Sequence, residues 1–155
     1  LVVPGYYTEA GKIVNQARGL GIEQTIVGPD GFGDAKFVEQ ATPAAATNVY
    51  YVSGFTTSGE MSEKAKKFIE AYKAKYKEEP SMFAALAYDS VYMAAEAAKG
   101  AKTSVDIKDN LAKLKDFDGV TGSITIDKDH NPVKTALMIG LKDGQVDTVE
   151  TVKAE

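Results

Sequence analysis

Changes in the period of apolar residues mark the elements of this chain. Val2 and Val3 close a short apolar run that Pro4-Gly5 stops. Ala10, Ile13, Val14, Ala17 and Leu20 then recur at the spacing of one helix face, with Thr8 suited to the N-cap and Gly21 to the C′ position. Thr25-Ile26-Val27 reads as a short buried strand, stopped by Gly28-Pro29-Asp30-Gly31. A second helix over residues 34–41 would bury Phe37, Val38 and Ala41 before Thr42-Pro43 breaks it. The aromatic, β-rich run at 48–55 predicts a third strand, and the small polar residues after it have the composition of a linker.

Ser62 caps the next predicted helix, whose apolar stripe is Ala65, Phe68, Ile69, Tyr72 and Tyr76. Glu63/Lys67 and Lys66/Glu70 have the i,i+4 spacing of pairs on its wet face, which makes its lysines part of a solvated surface. Glu79-Pro80 ends the element. Residues 81–99 are the most apolar helical run, rich in alanine, and are expected to be largely buried, with Asp89 at a polar contact. Gly100 ends that helix, and a shorter one over about 105–115 would turn Ile107, Leu111 and Leu114 inward. The tail is β: strands at 120–126 and 135–141 flank a polar turn, and Asp143-Gly144 signals a hairpin into 146–152.

Two residues stand out chemically. If the first strands are parallel neighbours, Tyr6 and Asp30 both lie just past strand ends, on the sheet edge where open α/β folds bind ligands. A phenol and a carboxylate facing one cleft suit a small ligand with an ammonium group and an apolar part. In the other reading Tyr6 covers the sheet edge and Asp30 makes an Asx-turn before Gly31. The residues alone leave both open.

The runs GYYTEAGKIVNQARGLG, TIVGPDGFGDAKFVEQA, EEPSMFAALAYDSVYMAAEAAK and FDGVTGSITIDKDHNPVKTALMIGLKDGQV resemble, in this order, the branched-chain amino-acid-binding proteins of ABC importers. The resemblance covers nearly the whole chain. It implies the type I periplasmic-binding-protein fold, an α/β architecture of Rossmann-like parallel sheets with helices on both faces, in two lobes joined by three crossings. Residues 1–55 would belong to the ligand-binding lobe, 56–131 to the other lobe with its hinge crossings, and 132–155 to strands returning to the first; one crossing is expected at 53–59. The resemblance also implies that Tyr6 and Asp30 contact the bound amino acid, the acid pairing with its α-ammonium. Aspartate here stands where many relatives carry glutamate. Phe83 aligns with an aromatic position against the ligand's side chain, although aromatics at helical spacing are commonly core.

Composition narrows the classes. At 155 residues, 44% hydrophobic and 26% charged, the chain has the make-up of a globular domain with one ordinary core. A net charge of −4 argues against a nucleic-acid partner, and the absence of cysteine excludes a disulfide scaffold or thiolate metal site within the segment. The sequence starts inside a strand with no Met or leader, as expected of the C-terminal portion of a longer protein that carries its export signal elsewhere. An isolated half could dimerise to cover the surface its missing part would bury.

No enzyme is expected. Asp127-Lys128-Asp129-His130-Asn131 opens like a calcium loop, but Pro132 and Met138 occupy its Gly and Glu positions. His130, the single histidine, has no nucleophile motif beside it. The glycine-rich turn at 28–33 matches neither GxGxxG nor a P-loop, so no nucleotide or other cofactor is implied. The expectation is an extracytoplasmic protein, periplasmic or a surface lipoprotein, that captures Leu, Ile or Val and delivers it to an ABC permease. The groups that hold the ligand's carboxylate would lie outside this segment. Two alternatives stand beside it: a sensor domain of the same fold, and a Rossmann-like nucleotide-dependent enzyme with a divergent phosphate turn.

Overall fold

A computed structural model describes residues 1–152. The last three residues of the tail expected over 132–155 lie outside them. The chain divides into two units, one of Leu1–Gly59, Ser81–Phe83 and Ala136–Val152, the other of Glu60–Pro80 and Ala84–Thr135 among the described residues.

The first unit is built on a four-stranded mixed sheet ordered β1 (Ile26–Gly28), β2 (Val49–Ser53), β6 (Ala136–Lys142) and β7 (Gln145–Val152). β1 and β2 are parallel, while β6 and β7 are antiparallel to their neighbours. Val2 adds a parallel bridge to Val27 rather than a full strand, with Val3 N–H donating to Val27 O at 2.9 Å. The Asp-Gly signal between β6 and β7 is realised as a two-residue turn in which Asp143 and Gly144 both take positive φ, the geometry whose twist matches paired strands.

α1 (Tyr7–Gly19) starts earlier than the sequence suggests. Tyr6, in extended conformation, is its N-cap residue, and its carbonyl accepts from Ala10 N–H at 2.9 Å, so Thr8 is already helical and caps nothing. The buried face is Ala10, Gly11, Val14 and Ala17, rotated away from the expected one; Ile13 and Leu20 are exposed, Leu20 by 80%. Gly11 explains the rotation. A Cβ there would lie 2.6 Å from Gln40 Cβ and 2.7 Å from Phe37 O, so the small residue lets α2 (Lys36–Ala41) pack against this face. α2 begins after Asp34, whose carboxylate accepts Lys36 N–H at 2.9 Å from outside the helix. β2 is shorter than expected because Asn48 takes a positive φ and turns the chain into it. Helices and sheet share one core, which includes Val14, Ile26, Phe37, Val49 and Ile139, with Phe32 stacked on Phe37 at 4.5 Å between centroids.

Arg18 closes the opposite end of this unit. Its guanidinium donates to the carbonyls of Ile22 at 2.5 Å, Gln24 at 3.0 Å, Thr47 at 2.8 Å and Asn48 at 3.4 Å, binding the end of α1 to the segments that lead into β1 and β2.

In the second unit, Ser62 caps α3 (Glu63–Tyr76), its hydroxyl accepting Ala65 N–H at 3.1 Å. Lys66 pairs with Glu63 at i,i+3 in place of the two expected i,i+4 pairs. Phe68 on α3 meets Tyr88 on α4 (Met82–Ala98) at 4.8 Å between centroids. α4 is less buried than its composition suggests: Met82, Ala85, Asp89 and Ala97 form a buried stripe, whereas Val91 is 67% exposed. Alanine favours the helix by propensity and does not by itself specify a second packed face. α5 (Ser104–Leu111) carries a Thr103/Asp106 capping box and ends before Lys115 because its last turn tightens to i→i+3 bonds at Lys113 and Leu114. Ile107, Leu111 and Leu114 are half-buried. The strand expected at 120–126 is instead a hairpin of β3 (Phe117–Gly119) and β4 (Gly122–Ile126), with Val120-Thr121 as its turn and Gly122 at a positive φ. The two-residue β5 (Pro132–Val133) pairs with β4.

The packing of the first unit can be tested at two residues. Lysine cannot reproduce a planar fork aimed at several carbonyls, so Arg18→Lys is expected to cost about 2 kcal/mol in urea unfolding; a loss within experimental error would remove Arg18 as an organiser of the fold. Burial pushes the Tyr51 phenol up from 10.0 to about 12. The folded state therefore holds this proton longer than the unfolded chain does. The corresponding stability is fully present below pH 10 and is lost as pH rises through about 12. At most ~2.7 kcal/mol is at stake, and Tyr51→Phe should flatten that part of the stability–pH curve relative to wild type.

Candidate functional site

Strand direction decides where a site can form. β1 and β2 run parallel, with Gly28 opposite Tyr51, so both deliver their following turns to one edge of the sheet. The short Val2–Val27 bridge is parallel too, and brings Gly5-Tyr6 to the same edge. β6 begins there, because Leu137 pairs with Ser53.

Two of these turns touch. Gly31 follows Asp30 in a single 3-10 turn, and a Cβ on it would collide with the carbonyl oxygen of Gly5 and sit 3.2 Å from Tyr6 Cα. Glycine is required here by close backbone approach. Tyr6 and Asp30 are thereby carried on adjoining turns, both exposed, Tyr6 by 65%. Gly28 serves the same edge from below: the space a Cβ would take is filled by the Phe32 ring, which fixes the turn onto the core.

Phe83 lies in the first turn of α4, half-buried. Its neighbour Met82 is buried, accepts Gly54 N–H on its sulfur at 3.2 Å, and approaches the position of a Gly33 Cβ to 3.5 Å. The start of α4 is thus seated against the turns after β1 and β2. Ser53 closes the end of β2: its hydroxyl, buried, donates to Phe55 O at 2.6 Å and accepts from Phe55 N–H at 3.2 Å. An exposed carboxylate, a phenol and a nearby aromatic ring on one edge can accept a cation and flank an apolar group.

The supporting residues were harder to see than the exposed ones. Asp30 advertises itself as an acid in a glycine-rich turn, whereas the contacts of Gly31 and Met82 depend on chain segments far apart in sequence.

His130 belongs to neither turn. It is exposed, with a positive φ, in the turn where the Asp127 carboxylate accepts the N–H groups of Asp129 and Asn131, each at 2.8 Å. The hydrogen bond from Asn131 leads the interactions that hold the Asp127 carboxyl below its usual range. The acid-rich opening of that loop thus ties its own turn. Among the described residues no cluster of three or more His, Cys, Asp or Glu side chains could hold a metal, and no helix is long and apolar enough to cross a membrane.

Comparison with known proteins agrees with this architecture. A periplasmic binding protein family profile matches residues 2–145. The branched-chain amino acid transporter substrate-binding protein LivJ of Streptococcus pneumoniae, solved in complex with isoleucine, is 63% identical with a TM-score of 0.92, covering 99% of this chain and 44% of its own. The leucine-binding protein LivK of Thermotoga maritima is 29% identical with a TM-score of 0.89, over 98% of this chain and 44% of its own. A leucine-, isoleucine-, valine-, threonine- and alanine-binding protein of Pseudomonas aeruginosa is 25% identical over 125 residues, 80% of this chain and 33% of that protein. The chain therefore spans less than half the length of these relatives. Its fold is that of the type I periplasmic binding proteins, and the chain belongs to the periplasmic binding protein family.

Proposed function

We propose that this chain is part of an extracytoplasmic substrate-binding protein that captures leucine, isoleucine or valine and hands it to the permease of an ABC importer. The observation that carries the reading is the placement of Tyr6 and Asp30 on adjoining turns at one sheet edge. Relatives whose names specify isoleucine or leucine as ligand support the choice of amino acid. The role is binding rather than catalysis. The two units would correspond to parts of two lobes, and the remaining contacts to the ligand, including those to its carboxylate, would come from chain beyond this segment. A periplasmic location or a lipid-anchored cell-surface one would both fit such a protein.

In this reading Asp30 pairs with the α-ammonium, Tyr6 adds a polar wall and Phe83 flanks the side chain. Lobe closure would follow from contacts made only in the closed state. A carboxylate enclosed without its cation is destabilised by several kcal/mol, which would exclude ligands lacking an ammonium group. A sensor domain of the same fold would use the same edge; the sequence around the chain would separate the two, a transmembrane helix following the fold favouring signalling.

Titration calorimetry of the complete protein with leucine, isoleucine, valine and alanine tests the proposal. The branched ligands are expected to bind tightly, and Asp30→Ala to weaken them by about 3 kcal/mol or more, over a hundredfold. Retained affinity in that variant would place the ammonium elsewhere, and no binding by the wild type would remove the amino-acid reading. We propose further that the 155-residue piece studied alone self-associates, a reading supported by the exposed apolar side chains of α4. Light scattering that finds only monomer would dismiss it.

A further inference from the structure

Asp89 is a carboxylate that ligand capture, as proposed above, does not use. It is 2% exposed in the middle of α4 and accepts three hydrogen bonds: from Val120 N–H at 2.7 Å, Thr121 N–H at 2.9 Å and the Thr121 hydroxyl at 2.7 Å. Gly119 lies so close that a Cβ there would stand 2.5 Å from Asp89 Oδ2. The Thr121 hydroxyl, having donated to Asp89, accepts from the Lys134 ammonium at 3.0 Å. The result is a directed chain from cation through hydroxyl to buried anion. Desolvation pushes the Lys134 pKa down, and the charge of Asp89 works against that. An ammonium drawn partly from water is held there by this bridge.

The location of the two charged ends matters. The chain passes from one unit to the other between Phe83 and Ala84, and again between Thr135 and Ala136. Asp89 lies about two turns into α4, just beyond the first of these points. Lys134 lies just before the second. Within the first unit both segments lead to the end of β2: Met82 holds Gly54 N–H, and Leu137 pairs with Ser53.

We propose that Asp89, Thr121 and Lys134 form a latch that ties two chain crossings together, making Lys134 a positioning residue for ligand capture. With the latch made, the segments carrying Phe83 and the start of β6 move as one when the ligand is enclosed. The latch itself stands on the geometry alone; its part in capture rests on the function proposed above.

Amide exchange and leucine release from the complete protein test it in wild type, Lys134→Met, Lys134→Arg and Thr121→Val. Lys134→Met should raise exchange across 133–137 about tenfold or more while Val120 and Thr121, still bonded to Asp89, stay protected. Leucine release should quicken about threefold or more. Thr121→Val, which removes the bridging hydroxyl and keeps the side-chain shape, should give the same two changes, and Lys134→Arg should restore wild-type behaviour. Unchanged exchange at 133–137 in both Lys134→Met and Thr121→Val overturns the latch. Faster exchange with unchanged release overturns the positioning role. If the wild type binds no amino acid, faster exchange still supports the latch, and it is the capture reading that fails.

Discussion

A single guanidinium sets the spacing on which the first unit is built. Arg18, the only arginine in the sequence, reaches carbonyls on both segments that lead into β1 and β2. Five donors on a rigid fork suit this task, because loops that lead into parallel strands leave carbonyls without ladder partners. The positive charge also sits in the last turn of α1, where the helix dipole favours it. Once the starts of both strands are fixed, the register of β1 on β2 is fixed. Their ends then fall side by side at the far edge, where Tyr6 and Asp30 lie.

That far edge is held by absence of side chains. Gly31 against Gly5, Gly28 beneath the Phe32 ring and Gly33 beside Met82 are close approaches that a Cβ would crowd. Glycine at these places lets backbone meet backbone, so exposed functional side chains stand on turns with little freedom to shift. Gly11 does the same work for α1 on α2. Small residues, rather than large apolar ones, decide how this unit fits together.

The features legible in the sequence were those with a local cause. Ser62 as a cap, Gly21 as a helix stop and Asp143-Gly144 as a hairpin turn each satisfy neighbouring backbone groups, and each is found. Tyr6 and Asp30 could be placed on one edge because a parallel pairing is enough to put them there. What the sequence concealed depended on distant contacts. Thr8 has the chemistry of a cap, but the extended Tyr6 opens the helix before it. Val120 and Thr121 look like strand residues, yet a carboxylate from α4 takes their N–H groups and holds them as a turn. The exposed side of α4 was hidden by alanine, which satisfies a helix without revealing which face is packed.

The stiffness of the edge bears on ligand choice under the proposed reading. Aspartate carries its carboxylate one methylene nearer the backbone than glutamate does. A flexible turn could advance to make up the difference, but this one is pressed against Gly5 and anchored on Phe32. The ligand's ammonium must then approach the turn more closely, drawing the rest of the ligand with it. Its side chain would be placed accordingly relative to Phe83, whose helix is itself seated on Gly33 and Gly54 through Met82. Preference among branched side chains would therefore be set by the distance between two fixed walls, and a change at Gly31 or Met82 would alter it without touching the ligand.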